Sequence, residues 1–163
     1  MSNYYIRNKE TGKIELHFDK ETYMSLPDSD KQKIKSNFLF VRKTGAWISR
    51  CKFPNLYRAP GGMGEEEAIQ YYIGKLEEVF IEATPYDDCA AIVFEPVQGE
   101  GGFVPAPIEW VKAVRKICDE HGIMMVCDEV QCGWARSGKM FASQYFADAG
   151  CAPDIMTTAK SIG

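Results

Sequence analysis

Three apolar runs constrain the fold of this 163-residue chain more strongly than any other feature. They lie in the segments Ala90–Gly102, Met124–Gly133 and Pro153–Gly163, and charged or small polar residues follow each run. Buried parallel strands have this pattern, and their carboxyl ends meet at one edge of a sheet. We therefore expect an α/β fold that carries a site at that edge.

Segments with helical periodicity precede the first apolar run and also lie between the runs. Ile69, Tyr72 and Leu76 share one face at helical spacing. The helix that starts at Pro107 is expected to stop at Gly122, which is free to take the left-handed cap. Its predicted buried residues are Trp110, Val111, Val114, Ile117 and Cys118. The elements predicted in chain order are a helix from Gly64, a strand Cys89–Phe94, a helix from Pro107 to His121, a strand Ile123–Cys127, a short helix near Phe141–Phe146 and a strand from Asp154. Alternating helices and strands with short connections predict a mostly parallel sheet with crossover helices.

An acid and an amine end two of these runs. Asp128 follows the second run, and Lys160 follows the third. Pyridoxal phosphate chemistry requires such a pair, because a lysine forms a Schiff base with the cofactor and a carboxylate keeps the ring nitrogen protonated. An exposed lysine is more often a solvated charge, and an aspartate at a strand end more often caps a helix. The pair alone leaves both interpretations open.

Three longer motifs carry a family resemblance, namely EPVQGEGGF (Glu95–Phe103), DEVQCGWARSGKMFA (Asp128–Ala142) and APDIMTTAK (Ala152–Lys160). From Gly61 to Gly163 the chain resembles the class III aminotransferases, the group that contains 4-aminobutyrate and ornithine aminotransferases. The resemblance implies part of the large domain of a fold-type I enzyme that depends on pyridoxal 5'-phosphate. It also implies a homodimer, and transfer of an amino group from an ω-amino acid such as 4-aminobutyrate to 2-oxoglutarate.

The resemblance implies roles for five residues and no metal ligand. Lys160 matches the Schiff-base lysine, and Asp128 matches the aspartate that pairs with the ring nitrogen. Val130 matches the residue that packs on the ring face, and Gln131 matches the one that hydrogen-bonds the phenolic oxygen. Glu100 matches the glutamate that pairs with a substrate-side arginine and gates it between half-reactions.

The chain departs from the family pattern at Cys127, Cys132 and Trp134, and none of these changes removes a charge that the chemistry requires. The family's phosphate-contacting turn, its ring-stacking aromatic residue and its substrate arginine have no match in the sequence. We therefore expect an internal fragment, fused behind an unrelated segment, that by itself does not transaminate at a useful rate.

Residues 1–58 are expected to form a separate small α+β unit, with the partial aminotransferase domain in residues 59–163. Residues 1–60 contain 12 Lys and Arg against 6 Asp and Glu, whereas the whole chain has a net charge of −4. Alternating residues predict two hairpins, within Tyr4–Phe18 and Phe38–Arg50, with short helical turns between them. The segment faintly resembles a small uncharacterised domain of bacterial mobile elements.

Two interpretations remain open for this basic unit. Cations combined with aromatic residues such as Tyr5 and Trp47 are typical of nucleic-acid-binding modules. The alternative function is accordingly a non-catalytic protein whose basic unit contacts nucleic acid. The simpler interpretation, which we favour, is a small sheet with aromatic residues in its core and solvated lysines. The segment Phe53–Gly62, with its Pro and Gly residues, is interpreted as a linker.

The start of the chain, MSNYYIRNKETGK, has no apolar signal core, and no run of about 18 apolar residues predicts a membrane span. Six cysteines without a CxxC pair favour reduced thiols, so we expect a cytoplasmic protein. Cys118 and His121 lack a second ligand pair, which argues against a zinc site.

Overall fold

The computed structural model describes residues 5–7, 14–16, 38–41 and 46–160. Four short strands come first, namely β1 (Tyr5–Arg7), β2 (Ile14–Leu16), β3 (Phe38–Val41) and β4 (Ala46–Ser49). Strand β1 pairs antiparallel with β2, and β3 pairs antiparallel with β4. The strands of both predicted hairpins are thus confirmed. The helical turns predicted between residues 19 and 37 lie outside the described residues.

The chain divides into two compact units, residues 1–51 with 78–88 and residues 52–77 with 89–163. Within the first unit, the rings of Phe80 and Tyr86 stack with centroids 4.3 Å apart. The hydroxyl oxygens of Ser49 and Thr84 lie 2.5 Å apart in the same unit. The boundary expected at residue 58 stays a prediction.

The segment interpreted as a linker is packed at its start, within the second unit. Pro54 is fully buried, and the carbonyl of Asn55 accepts a hydrogen bond from the Tyr72 hydroxyl at 3.0 Å. The ring centroids of Phe53 and Trp110 are 6.0 Å apart. A flexible linker makes no such contacts, so residues 53–55 belong to the packed structure.

Three helices follow, namely α1 (Glu65–Glu82), α2 (Ile108–His121) and α3 (Ser143–Asp148). Three glutamates, Glu65 to Glu67, occupy the first turn of α1, where the helix dipole favours anions. The side chains that α1 buries are Ala68, Ile69, Tyr72, Leu76 and Phe80. They include the apolar face predicted by periodicity. Among the described residues, no helix has both the length and the apolar character needed to cross a bilayer.

Five further strands complete the fold, namely β5 (Ala91–Phe94), β6 (Val97–Gln98), β7 (Val104–Pro105), β8 (Met124–Asp128) and β9 (Ile155–Thr157). Strands β5, β8 and β9 form a parallel sheet in the order β5-β8-β9. The predicted parallel α/β sheet is therefore confirmed. Strands β6 and β7 form a small antiparallel hairpin, which the sequence pattern did not predict.

Helix α2 connects β5 to β8 and supplies much of the core. It begins after Pro107 and ends at Gly122, whose left-handed backbone (φ 68°) closes the helix as predicted. Its buried residues are Trp110, Val111, Val114, Ile117 and Cys118, the same five that the sequence predicted. Each fully buried side chain of this size contributes about 1.5–3 kcal/mol. The Trp110 ring meets the edge of Phe94 with centroids 5.3 Å apart, which holds α2 on the sheet.

Asp154 fastens the start of β9 to β8. Its Oδ2 atom accepts the Met125 N–H at 2.7 Å and the Arg115 Nη1 at 2.8 Å. The Asp154 N–H donates to the Met125 carbonyl at 2.9 Å. The hydrogen bond from Met125, and then that from Arg115, hold the pKa of Asp154 below its usual range. These contacts fix the register of β9, and so the position of the residues that follow it.

All six cysteines are free thiols. Burial raises the pKa of Cys118 to about 11 and that of Cys127 to about 12. Thiols of this kind stay protonated at neutral pH and are poor nucleophiles. The cytoplasmic location stays a prediction.

Candidate active site at the carboxyl edge of the sheet

Asp128 and Lys160 lie at the same edge of the parallel sheet. Asp128 is the last residue of β8 and is paired in register with Thr157, the last residue of β9. Lys160 follows Thr157 by three residues. The sequence predicts that the strands leading to Asp128 and to Lys160 are parallel, and the structure confirms this.

The backbone of Lys160 adopts a left-handed conformation with φ 58°. For a residue other than glycine, this conformation costs roughly 1–2 kcal/mol, and such costs cluster at functional sites. The side chain of Lys160 is exposed. A strained backbone at an exposed lysine on the carboxyl edge of a sheet is therefore a reason to consider this residue functional.

The Asp128 carboxylate is held by its own turn. Its Oδ1 atom accepts the Val130 N–H at 3.0 Å, while Oδ2 has no hydrogen-bond partner among residues 46–160. Asp128 and Val130 are both half-buried. One oxygen of the carboxylate thus fixes its orientation, and the other is able to accept a hydrogen bond from a bound molecule.

Gln131 and Glu100 are brought together from two different turns. The Gln131 Nε2 atom donates to Glu100 Oε1 at 3.3 Å. The backbone of Gly99 passes close to the same glutamine, since a Cβ atom built on Gly99 lies 3.1 Å from Gln131 Cγ. Any larger residue at position 99 forces the glutamine to move. Two of the residues selected by family resemblance are therefore neighbours.

Glu95, directly after β5, shapes the first of these turns. Its Oε2 atom accepts the Gly99 N–H at 2.9 Å. Two backbone hydrogen bonds to the Gly99 carbonyl, from Gly102 at 3.0 Å and Phe103 at 3.2 Å, close the loop. Glu100 is thereby presented on the exposed side of the turn.

Glu129 is a site residue that sequence reasoning missed. It is 0% exposed, and its carboxylate accepts hydrogen bonds from the N–H groups of Ser143 at 2.6 Å and Ala142 at 3.1 Å. The alternation of β8 contains a signal for it, because Met125, Cys127 and Glu129 share the fully buried face. An acid in phase with two core residues indicates a buried carboxylate that has partners.

The Cys132 thiol also donates to Glu129, with Sγ 3.2 Å from Oε2. Burial above all, together with the adjacent Glu129 carboxylate, raises the pKa of Cys132 to about 12. Cys132 is therefore a neutral hydrogen-bond donor at physiological pH. The cysteine stands at one of the positions where the sequence departs from the family pattern, and its thiol serves there as a hydrogen-bond donor.

The groups at this edge fit an aromatic aldehyde with a basic ring nitrogen. A primary amine (Lys160) is able to attack an aldehyde, and a carboxylate (Asp128) is able to hold a protonated ring nitrogen. An amide (Gln131) and an aliphatic side chain (Val130) supply a donor and an apolar surface. Among the described residues, no group of three or more His, Cys, Asp or Glu side chains is arranged to hold a metal ion.

This parallel sheet, with an amine and an acid at its carboxyl edge, places the chain in the class of pyridoxal phosphate enzymes with an α/β large domain. The model of the family "Aminotransferase class-III" matches residues 7–163. The chain therefore belongs to the class III aminotransferase family, whose cofactor is pyridoxal phosphate. The match begins inside the segment 1–58 for which the sequence predicts a separate unit.

Curated relatives are named for several reactions. The 5-aminovalerate aminotransferase DavT of Pseudomonas putida is 50% identical over 115 residues, which cover 71% of this chain and 25% of the relative. The 4-aminobutyrate aminotransferase GabT of Escherichia coli is 44% identical over 108 residues (66% and 24%). The isoleucine 2-epimerase of Lentilactobacillus buchneri is 39% identical over 130 residues (78% and 28%). The chain spans about a quarter of the length of these relatives.

Solved transaminase structures have the same fold over this region. A transaminase from directed evolution by ancestral reconstruction matches with a TM-score of 0.63 and 35% identity, covering 71% of this chain and 24% of that one. An amine transaminase from an uncultivated Pseudomonas species, in its PLP-bound form, matches at 0.59 with 37% identity (68% and 24%). The ω-transaminase of Pseudomonas jessenii in complex with PMP matches at 0.59 with 35% identity (67% and 23%).

Proposed function

We propose that the protein takes part in pyridoxal-phosphate-dependent transfer of an amino group from an ω-amino acid, such as 4-aminobutyrate, to 2-oxoglutarate. One observation carries the proposal, namely the register that pairs Asp128 with Thr157 and places Lys160 three residues further on. The names of the relatives that act on 4-aminobutyrate and 5-aminovalerate support the choice of amino donor.

When bound, the cofactor supplies an electron-accepting ring that eases removal of a proton from the carbon that bears the amino group. Lys160 would hold the cofactor through its Nζ amine, and the same amine would then take the proton from the carbon that bears the amino group. Asp128 retains the proton of the ring nitrogen through a charge-assisted hydrogen bond. We expect its carboxylate to lie roughly 6–9 Å from the Lys160 amine, the length of that bond plus a ring width.

Three further residues complete the proposed site. Val130 packs on the ring face and excludes water from it. Gln131 donates a hydrogen bond to the phenolic oxygen. Glu100, which accepts a hydrogen bond from Gln131 on the exposed side, meets the substrate end and pairs with a cationic group there. Since Gln131 donates a hydrogen bond to Glu100 and is also proposed to contact the cofactor, it links the two halves of the proposed site.

The 163-residue polypeptide by itself is proposed to turn over slowly. Its described groups serve the ring and aldehyde side of the cofactor, whereas the sequence contains no match for the family's phosphate-contacting residues. Positioning of this kind contributes on the order of 7–11 kcal/mol to lowering a barrier. An assay with 4-aminobutyrate and 2-oxoglutarate is expected to stay far below about 10 turnovers per second, and a rate near that value refutes this part of the proposal.

Borohydride trapping tests the role of Lys160 without requiring turnover. An amine and an aldehyde join with loss of water, and hydride then reduces the carbon–nitrogen double bond to a stable link. Lys160→Ala is expected to abolish the trapped pyridoxal phosphate adduct, as read by mass spectrometry. Lys139→Ala serves as the matched control, because the Lys139 Nζ pairs with Asp148 and lies 4.5 Å from the Tyr145 ring centroid. Undiminished labelling of Lys160→Ala rejects the proposed function.

The alternative, contact of the basic residues 1–58 with nucleic acid, falls largely on residues outside those described. It stays a prediction from composition, and salt-sensitive binding to an oligonucleotide is the result that favours it.

A further inference from the structure

Glu129 combines a charged side chain with complete burial. It is 0% exposed and lies between Asp128 and Val130, the two residues proposed to contact the cofactor ring. Burying an ionisable group is costly unless it is hydrogen-bonded, so a carboxylate in this position requires compensation from its neighbours. The nature of that compensation indicates what Glu129 does.

The side chain of Glu129 connects three parts of the chain. Its Oε1 atom accepts the Ser143 N–H at 2.6 Å, and its Oε2 atom accepts both the Ala142 N–H at 3.1 Å and the Cys132 thiol at 3.2 Å. Ala142 is the N-cap of α3 and Ser143 is its first residue. The first N–H groups of a helix have no partner within it. A carboxylate is able to accept all three hydrogen bonds at once.

The backbone of Glu129 makes the connection to β9. Its N–H donates to the Thr157 carbonyl at 2.9 Å, and its own carbonyl accepts the Gly133 N–H at 2.9 Å. The first bond extends the pairing of β8 with β9 one residue beyond Asp128. The second closes the turn 128–133, which contains Val130 and Gln131.

We propose that Glu129 is a positioning residue, which fixes the turn 128–133 against β9 and α3 and so sets where Asp128 and Gln131 lie relative to Lys160. It contacts neither substrate nor cofactor, and acts through its neighbours. The link to the cofactor rests on the proposed function, whereas the order that Glu129 imposes on the turn belongs to the chain alone.

Amide hydrogen exchange of the full chain without cofactor, resolved by NMR, tests this order. Glu129→Gln keeps the shape of the side chain but leaves one oxygen to serve three donors. Exchange at the Val130 and Gly133 amides is expected to rise about tenfold, while exchange at core amides of α2 such as Val114 keeps its rate. If Glu129→Gln only destabilises the whole fold, exchange rises at all of these amides together, and this result contradicts the proposal. Unchanged exchange at Val130 and Gly133 also overturns it.

Two further variants keep the test decisive if Glu129→Gln folds poorly. Cys132→Ala removes one donor and spares the carboxylate, and we expect exchange at Gly133 to rise about threefold. Glu95→Gln is the matched control, since Glu95 also follows a strand at this edge, and it is expected to leave Val130 and Gly133 unchanged. The assignment is contradicted if the Gly133 amide of Cys132→Ala exchanges at the wild-type rate. It is also contradicted if exchange rises as much in Glu95→Gln as in Glu129→Gln.

Pyridoxal phosphate supplies a second readout. The visible absorbance of the added cofactor changes with pH, and we compare the midpoint of that change in Glu129→Gln and in the wild-type chain. Loss of order around Asp128 is expected to shift the midpoint in the variant, whereas a role of Glu129 in folding alone leaves it in place. If the wild-type chain forms no adduct on Lys160, the proposed function fails, and the exchange measurement still decides the role of Glu129.

Discussion

Two turns follow neighbouring strands of the same sheet and differ sharply in burial. The turn of residues 95–103 follows β5, and the turn of residues 128–133 follows β8; each begins with an acid and contains glycine. In the first, Glu95 is half-buried and accepts one N–H group, and Phe103 is 81% exposed. In the second, Glu129 is fully buried and accepts three donors. Similar local sequences thus produce an open turn and an enclosed one.

Helix α3 accounts for this difference. Its start, at Ala142 and Ser143, covers Glu129 and supplies two of its hydrogen bonds. In the proposed function, the enclosed turn holds Asp128 and Gln131 for the cofactor, and the open turn presents Glu100 to the substrate. A rigid cofactor side and an adaptable substrate side suit the proposed reaction, in which an amino acid and then a 2-oxo acid bind in turn, because only the second side must accommodate a change.

Replacing the glutamate that each turn uses as a hydrogen-bond acceptor, Glu129 or Glu95, is expected to give the largest difference between the turns. Glu129→Ala is expected to lower the free energy of unfolding by about 3 kcal/mol, because two buried N–H groups and a thiol lose their acceptor. Glu95→Ala removes one hydrogen bond at a half-buried position and is expected to cost about 1 kcal/mol. Urea unfolding followed by circular dichroism measures both, and equal losses contradict the comparison.

Adding a methyl group to a glycine of each turn gives the next largest contrast. A Cβ atom on Gly133 meets the Glu129 carbonyl oxygen at 2.8 Å and Phe141 Cδ1 at 3.3 Å, so Gly133→Ala is expected to cost about 2 kcal/mol. On Gly101 the same atom meets the Cγ, Cδ and Oε1 atoms of the open turn's Gln98, a flexible side chain that is able to rotate away. Gly101→Ala is therefore expected to leave the urea midpoint almost unchanged, and a larger loss there than in Gly133→Ala argues against an open first turn.

At alkaline pH the enclosed turn is expected to lose stability, because it contains Cys132. Burial and the Glu129 carboxylate raise the pKa of this thiol from 9.0 to about 12. The stability that depends on the protonated thiol is fully present below pH 9 and is lost as pH rises toward 12. Between pH 8 and pH 10 we expect a loss on the order of 1 kcal/mol. Cys132→Ser keeps the donor and should remove this share of the alkaline loss, while the buried thiols of Cys118 and Cys127, whose pKa values are also raised, keep theirs. An identical pH dependence in the two proteins excludes a contribution from Cys132.

The smallest expected effect concerns two strained aromatic residues. Phe103 and Trp134 both have φ 56°. Phe103 is 81% exposed, whereas Trp134 is 38% exposed and its ring meets Phe141 with centroids 5.5 Å apart. Phe103→Gly is expected to raise the free energy of unfolding by about 0.5 kcal/mol, since relief of strain exceeds the added entropy of the unfolded chain. Trp134→Gly is expected to lower it, because packing is lost. Thermal unfolding compares the two variants.

Local pattern predicted the regular elements well. The five residues that α2 buries follow from helical periodicity, and the Gly122 cap follows from the need for a left-handed residue. The parallel sheet follows from alternating helices and apolar runs. The hairpin of β6 and β7 was not predicted, because each strand has only two residues and two residues are too few to show an alternating pattern.

For the candidate site, the sequence determined which residues are chemically suited to it. Asp128 and Lys160 stand at the ends of apolar runs, and the family motifs identify Val130, Gln131 and Glu100. The role of Glu129 was not predicted, because fully buried glutamates are rare and its two backbone donors lie 13 and 14 residues away. The left-handed backbone of Lys160 has no local signal either.

The sequence by itself therefore determined the described helices, the strands other than β6 and β7, the parallel sheet and the family, since periodicity and motif spacing are properties of neighbouring residues. Only the tertiary structure decided which of two similar turns is enclosed and which is open. The physical reason is that enclosure depends on whether another element packs over the turn and supplies hydrogen bonds to its buried acid. For Glu129 that element is α3, and its approach is set by the packing of the whole sheet edge.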